Sequence, residues 1–425
     1  MTILLFLGAR AVDPFLENGE VVILITSKQD AGTGSLREAL TLARQGSIIR
    51  FSREIFPKNS HTTIVVLSEL PIMDDGNVTI DASDAEVILD GSQLRRGSGI
   101  PGLGIMSNEN VVMGLQIYNF PAGGIRIDNG AQNNVIGGTK RGEGNVISGN
   151  LDGINIVGRN TANNLIIGNL IGTNAEGLTA IQNYAAGIWI GDDARDNIIG
   201  GRFGIEGNVI SGNDSGIIIQ YSDGNIITGN LIGLDKTGEK ALPNHGAGIG
   251  LNFRSQNNII SGEGFELRNI ISDNGCGVCL NGSRVTGNQI AGNFIGPDIQ
   301  GKDAIGNGSN GVGISNDANG NQIGPGNKIA YNKESGIFVT GKESNHNSLT
   351  QNSIFSNGDT AIRNQEGGNF ELSPPVIQQV DNRSIKGLAI PTQLIEIYSD
   401  SSDECEIYEG EVSSDEAGNF SFILP

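Results

Sequence analysis

The sequence predicts an all-β protein: a parallel β-helix with three strands per coil, preceded by a capping helix and followed by a small β-sandwich-like module. Three observations lead there. An Asn-x-Ile motif recurs at Asn134, Asn164, Asn197, Asn225, Asn258, Asn288 and Asn321, with gaps of 30, 33, 28, 33, 30 and 33 residues, so two kinds of unit alternate. Each unit carries three short Ile/Val-rich segments bounded by Gly and Asn, which reads as strands rather than helices. The third segment alternates strictly: Ile154/Ile156, Ile188/Ile190, Ile217/Ile219, Ile249/Leu251, Val278/Leu280, Val312/Ile314 and Ile337/Val339 share one face. Asn155, Trp189, Ile218, Gly250, Cys279, Gly313 and Phe338 share the other.

Each element follows in order. Ser35 to Glu38 fits a capping box, opening a helix with apolar Leu36, Ala39, Leu40 and Ala43 that closes at Gly46. Residues 61–130 read as early, less regular coils. The regular coils follow, stacked about 4.8 Å apart, so that equivalent residues form ladders. The recurrent Asn suits the corners, where it tolerates a left-handed backbone and its amide can hydrogen-bond along the stack. The residue after each anchor Asn (Val135, Leu165, Ile198, Ile226, Ile259) forms an apolar row that points outward if the following Ile points inward. After about Gly368 the repeat stops, Pro374-Pro375 marks a boundary, and four or five strands follow with a turn at Asp415–Gly418. The expected divisions are 1–60, 61–370 and 371–425.

Composition limits the function. The 425 residues include 64 Gly, and 47 acidic against 27 basic side chains leave a net charge of −20. That charge disfavours nucleic acid as a partner, and disfavours polyanionic glycans except where basic residues cluster. No apolar run reaches the ~20 residues of a membrane span. The start, with a short apolar run and Ala9-Arg10-Ala11, is a weak signal-peptide candidate without a positive n-region. Three cysteines do not make a disulfide framework; the C-x-x-C at Cys276 and Cys279 reads as small residues at two strand positions, the alternative being a redox or half-zinc motif, with no second pair to complete a zinc site. His61, His245 and His346 are scattered, with no ligand-spaced partner.

The stretch "GNLIGTNAEGLTAIQN" (Gly168–Asn183) recurs 61 and then a further 63 residues on, at Gly229–Asn244 and Gly292–Asn307. Its fixed positions are those of an ordered loop: Asn174/Asp235/Asp298, Gly177/Gly238/Gly301, Ala180/Ala241/Ala304 and Asn183/Asn244/Asn307. Its exposed charges are scrambled, so the stretch reads as scaffold.

The "DAGTGSLREALTLARQGSIIRF" segment resembles the SLREA-type N-terminal cap of bacterial extracellular β-helix proteins. The "NVISGN…GINI" and "GNLIGT" units resemble repeats of the pectate-lyase-like superfamily, and "IEIYSD…EGEV…DEAGNFSF" resembles the β-module that follows such repeats. The resemblance covers nearly the whole chain. It implies a right-handed β-helix and an extracellular or cell-surface setting, but no single activity, because that superfamily includes lyases, hydrolases, epimerases and adhesins. Lyases on this fold use Arg or Lys as base, with Ca²⁺ or a neutralising group at the substrate carboxylate; hydrolases use paired carboxylates.

One cluster departs from the repeat. Arg159, Trp189, Asp192, Asp193, Arg195, Tyr221, Asp223 and Arg254 follow the third strands of consecutive coils, and Trp189 is the sole tryptophan. An outward aromatic beside arginines and carboxylates is a glycan-gripping arrangement. Here Trp189, Tyr221, Arg159, Arg195 and Arg254 are the glycan-binding candidates, and Asp192, Asp193 and Asp223 the candidate acids or bases. No cofactor is required; for an optional Ca²⁺ the candidate ligands are Asp192, Asp193, Asp235 and Asp298. The expected function is a rigid extracellular scaffold or adhesin that binds glycan or protein along its outer wall. The alternatives are a polysaccharide lyase or glycoside hydrolase, and a purely structural subunit of an envelope or filament. Nothing in the sequence sets the oligomeric state.

Overall fold

The computed structural model describes residues 15–17, 20–202, 204, 206–261, 264, 266–381, 383–400 and 404–424. The signal-peptide candidate at the start lies outside them. The chain divides into two units, Met1–Leu231 and Ile232–Pro425.

In the first unit, three parallel sheets form the walls of a β-solenoid. One wall (A) stacks Glu20–Ile25, Ser47–Phe51, Thr79–Asp81, Val111–Met113, Val135–Gly137, Leu165–Ile167, Ile198–Gly200 and Ile226–Thr228. A second (B) begins with Thr62–Val65 and Val87–Asp90 and includes Val146–Ser148 and Leu170–Ile171. The third (C) stacks Leu103–Ile105, Gly123–Ile127, Asp152–Val157, Ala186–Gly191 and Ser215–Gln220. Phe15–Glu17 adds to wall A antiparallel to Glu20–Ile25. Register follows the predicted alternation: Ile154, Ile188 and Ile217 align, as do Ile156, Ile190 and Ile219, and all six are fully buried.

The helix spans Leu36–Leu42, with Leu36, Ala39 and Leu40 buried. Ser35 Oγ accepts from Glu38 N at 3.2 Å, and Glu38 Oε2 accepts from Gly34 N at 2.7 Å, so the capping box forms as a slightly offset pair. The helix stops before the expected Gly46, because Ala43 takes an extended ψ of 141° and Arg44 N donates to Ser47 Oγ at 3.0 Å.

Asparagine forms a ladder at each corner of the coil. In one, Asn110, Asn134, Asn164, Asn197 and Asn225 follow each other, and each donates both N and Nδ2 to Oδ1 of the next. A second runs through Asn145, Asn169, Asn208 and Asn230. A third links Asn150, Asn183 and Asn213. These residues are all buried. The left-handed conformation expected of the anchor Asn falls on its predecessor instead, at Asn133 (φ 58°), Asn163 (φ 56°) and Asp196 (φ 55°). The anchor itself immediately precedes a strand, and the residue before it turns the corner. At the far end of the same strand Gly137 has φ 98°, and a Cβ there would lie 1.8 Å from Ile167 O.

The second unit repeats the plan. Wall C holds Asn244–Asn252, Asn274–Asn281, Val312–Ser315, Ile337–Thr340 and Ile362–Gln365. Ladders run through Asn258, Asn288, Asn321 and Asn347, and through Asn274, Asn307, Asn332 and Asn357. The C-terminal module pairs Val376–Val380, Ser384–Leu388 and Asn419–Ile423 in one antiparallel sheet, and Leu394–Ser399 with Ile407–Ser413 in another. Its core is thin: Ile395, Ile397 and Phe420 are buried, with Ile385, Ala389, Val412 and Phe422 partly so. The module is tied to the last coil of this unit. Ile354 and Cys405 exchange two backbone hydrogen bonds of 2.9 Å, and Glu396 accepts from Gln351 N at 3.0 Å and from the Thr350 hydroxyl. Glu404 Oε1 accepts from Asn357 N at 3.3 Å, whereas its Oε2 is enclosed without a hydrogen-bond partner among the described residues. Burial raises this carboxyl above the ordinary glutamate range.

Two outcomes are expected. Asn164→Ala costs about 2–4 kcal/mol in denaturant unfolding, because it leaves buried donors and acceptors unmade in two neighbouring coils. Asn164→Asp is no milder, since a carboxylate cannot donate to Ala131 O and faces the Asn197 carbonyl oxygen. Separately, a raised acid pKa means the folded state binds the Glu404 proton more tightly, so this contribution is present in acid and is lost as pH rises through the folded value. Glu404→Gln is therefore the more stable form at pH 7, and thermal melts show that advantage shrinking as pH falls.

Candidate functional site

The outer face of wall C in the first unit carries the row Arg126, Asn155, Trp189 and Ile218, in register across four coils. The adjoining row is Val157, Gly191 and Gln220. Trp189 is half-buried, and a Cβ on Gly191 would lie 2.9 Å from its Nε1. Glycine two residues on thus leaves the space in which the indole lies along the strand. Nε1 is buried and has no hydrogen-bond partner among the described residues. Arg126 Nε and Nη2 donate to Asp128 Oδ2 at 3.0 and 2.6 Å. Asn155, 8% exposed, donates to Asp152 Oδ2 at 3.0 Å, and Asp152 Oδ1 accepts from Ala186 N at 2.9 Å. The floor beside Trp189 is therefore a set of fixed polar groups on rigid strands.

The other candidates sit in the turns that leave this wall. Asp192 and Asp193 are consecutive left-handed residues (φ 56° and 66°), both exposed. Asp193 N donates to Tyr221 O at 2.8 Å, and Tyr221 is itself left-handed (φ 54°) and 37% exposed. A bulky side chain at positive φ is rare, so the turn is held by its neighbours rather than by local preference. Gly158 N donates to Gly191 O at 3.2 Å, which stacks the turn of exposed Arg159 on that of Asp192 and Asp193. Arg195 bridges Asp223 by backbone, and its Nε lies 3.9 Å from Asp196 Oδ2. The structure thus assembles Trp189 and Tyr221 with Arg159, Arg195, Asp192, Asp193 and Asp223 along three successive turns. Arg254 belongs to the second unit, at a left-handed turn position (φ 53°) after the strand Asn244–Asn252.

The acids of the threefold stretch are occupied within their own loops. Asp298 Oδ1 accepts from Lys302 N and Asp303 N at 2.7 and 3.0 Å, and Asp235 Oδ1 accepts from Thr237 N at 3.0 Å. Asn174 Oδ1 does the same for Leu178 N and Thr179 N at 2.9 and 3.1 Å. Amide and carboxylate are interchangeable at this position because the loop needs only an accepting oxygen. Among the described residues no three His, Cys, Asp or Glu side chains gather as a metal site. His61 lies 3.3 Å from Glu86, His245 is exposed, and His346 packs edge-on to Phe370 at 4.9 Å.

Sequence reasoning missed several features. Arg126, Asp128 and Asp152 join Asn155 on the Trp189 wall; the alternation in "GGIRID" is the signal that puts Arg126 in that row, but the stretch lies in the less regular early coils. A cleft of about 480 Å³ in the second unit, lined by His346, Phe370, Leu372, Ile390 and Leu394 among others, lies between the last coil and the C-terminal module. Cys276 and Cys279 do occupy strand positions, but they are joined as a disulfide.

No family model matches the chain, and no curated protein matches its sequence. Solved structures do. The periplasmic alginate epimerase AlgG is 16% identical over 83% of this chain and 75% of its own, with a TM-score of 0.46. The A-module of an Azotobacter vinelandii mannuronan C-5 epimerase is 15% identical over 82% of this chain and 88% of its own, with a TM-score of 0.47. The Dettilon tailspike protein is 16% identical over 95% of this chain and 90% of its own, with a TM-score of 0.43.

The loop geometry yields a prediction. Asp298→Asn preserves hydrogen-exchange protection at the Lys302 and Asp303 amides. Asp298→Ala lowers it by about 1–2 kcal/mol, because two donors lose their acceptor. These changes, read by exchange mass spectrometry, are the same with and without Ca²⁺.

The likeness to these structures is one of fold, the stacked parallel sheets of a β-solenoid.

Proposed function

We propose that the chain is an extracellular or cell-surface β-solenoid scaffold that binds a neutral glycan on the outer face of wall C, around Trp189. One observation carries this reading. Trp189 holds a buried indole N–H without a hydrogen-bond partner among the described residues, which costs about 1–3 kcal/mol. The same row position one coil on is filled by Ile218, which carries no such cost. The indole is not needed to build the wall. What it adds over isoleucine is a flat aromatic face, the surface on which sugar rings stack. The polar groups of Arg126 and Asp128 on one side and the stacked turns on the other offer hydrogen bonds to ring hydroxyls. Rigid strands preorganise them at little entropic cost. The net charge of −20 favours an uncharged glycan over a polyanion. In the described residues no helix is long and apolar enough to cross a membrane.

The test is a glycan array followed by calorimetry on the best neutral ligand. Trp189→Ala is expected to weaken binding at least tenfold, about 1.4 kcal/mol, with an unchanged melting midpoint. Trp189→Phe retains part of the affinity. Equal binding by wild type and Trp189→Ala would sink the proposal. Product with conjugated ultraviolet absorbance, or new reducing ends, would replace scaffolding by lyase or hydrolase activity.

A further inference from the structure

A second feature of wall C lies in the other unit. Cys276 and Cys279 are linked on the strand Asn274–Asn281, three residues apart, and both are only half-buried. Cys279 aligns with Gly250 in the preceding coil and with Gly313 in the following one. A Cβ on Gly313 would lie 3.8 Å from Cys276 Sγ and 3.9 Å from Cys279 Sγ, so both sulfurs border the space that glycine leaves open. The next residue along that row, Phe338, is one coil further on. Cys279 is thus flanked on both sides by glycine, and Cys276 aligns with the small Ala247 in the preceding coil.

Its contribution to stability is small by construction. The entropy a cross-link removes from the unfolded chain grows with the logarithm of the loop it closes, and this loop is near the shortest possible. The strand that carries it is already held by ladders to Asn244–Asn252 and Val312–Ser315, and by buried Val278 and Leu280. A staple is not needed here, and an accessible disulfide is the kind that exchanges.

We propose that Cys276–Cys279 is a thiol–disulfide exchange site for low-molecular-weight thiols of the glutathione class. The thiolate of the small thiol attacks one Sγ, forming a mixed disulfide and breaking the Cys276–Cys279 bond. The other cysteine leaves as a thiolate and takes up a proton. A second small thiol then attacks the mixed disulfide. It releases the oxidised small-molecule disulfide and leaves both cysteines as thiols. Two electrons and two protons pass from two small thiols to the protein, and the reverse sequence re-forms the bond. The strand and its neighbours stay in place throughout.

The experiment uses the full chain with Cys405→Ser, so that labelling reports only this pair. Oxidised protein, folded in buffer, is exposed to reduced glutathione, then to a maleimide, and analysed by intact mass. Two labels are expected under native conditions, reversal by oxidised glutathione is complete, and the melting midpoint stays within about 2 °C on reduction. Gly313→Val, whose added side chain stands beside both sulfurs, slows reduction at least several-fold without moving the midpoint. If the protein purifies with both thiols reduced, closure by oxidised glutathione in the folded state supports the proposal, and failure to close overturns it. It is also overturned if the bond resists glutathione until denaturant is added, if reduction lowers the midpoint well beyond that range, or if Gly313→Val leaves the rate unchanged. The Cys276→Ser/Cys279→Ser variant separates a folding defect from a redox one: it is expected to melt with the wild type.

Discussion

The buried asparagine amide is the constraint on which this fold depends. A coil turns three corners, and each corner strands backbone donors inside the protein, away from water. In each of the corner ladders a side-chain Oδ1 from the next coil accepts from the backbone N of the equivalent Asn, as Asn134 does for Asn110 and Asn164 for Asn134. The Nδ2 donors reach on to the next Oδ1 or back to a carbonyl, as Asn164 Nδ2 does to Ala131 O. A buried polar group is tolerable only when satisfied, and here each one is satisfied by its own repeat one coil away. The ladder therefore fixes the corners and not the coil length: Asn145 and Asn150 bound a short strand in one coil and Asn169 and Asn183 a much longer stretch in the next, yet both corners stay paired because the added residues leave as a loop.

This explains how much of the fold could be read from the chain. The Asn-x-Ile spacing and the alternation of Ile154/Ile156 or Ile188/Ile190 carried wall A and wall C directly, because inward position and burial coincide there. The second and third ladders were harder to see: Asn145 and Asn150 belong to one short "GNVISGN" string and read as turn residues, although each fixes a different corner. The left-handed residue was misplaced by one, onto Asn134 rather than Asn133, because composition cannot distinguish which of two adjacent asparagines turns the corner. The C-terminal strands were legible from turn residues such as Asp415 and Gly418.

The candidate site was less legible than the fold, for a physical reason. Stacking brings together residues separated by a whole coil, so Trp189, Arg159 and Tyr221 could be grouped by counting. Whether a carboxylate serves the outside or its own loop cannot be counted. Asp298 and Asp192 look alike in sequence, yet one closes a loop through two amides and the other stands exposed in a left-handed turn. The disulfide was missed similarly: three-residue spacing on a strand ordinarily directs side chains to opposite faces, and only the corner beside Cys276 turns both sulfurs outward.

The ladders also bear on chemical ageing. Asparagine deamidates when the next backbone nitrogen attacks its own side-chain carbonyl and closes a five-membered imide. In a ladder the side-chain carbonyl is held by donors from the adjacent coil. The following N–H is committed as well: Val135 N donates to Asn110 O and Leu165 N to Asn134 O, each at 2.8 Å. Neither partner can rotate into the cyclic geometry without breaking its strand. A chain this rich in a labile residue is thereby protected at the asparagines that matter most to its fold.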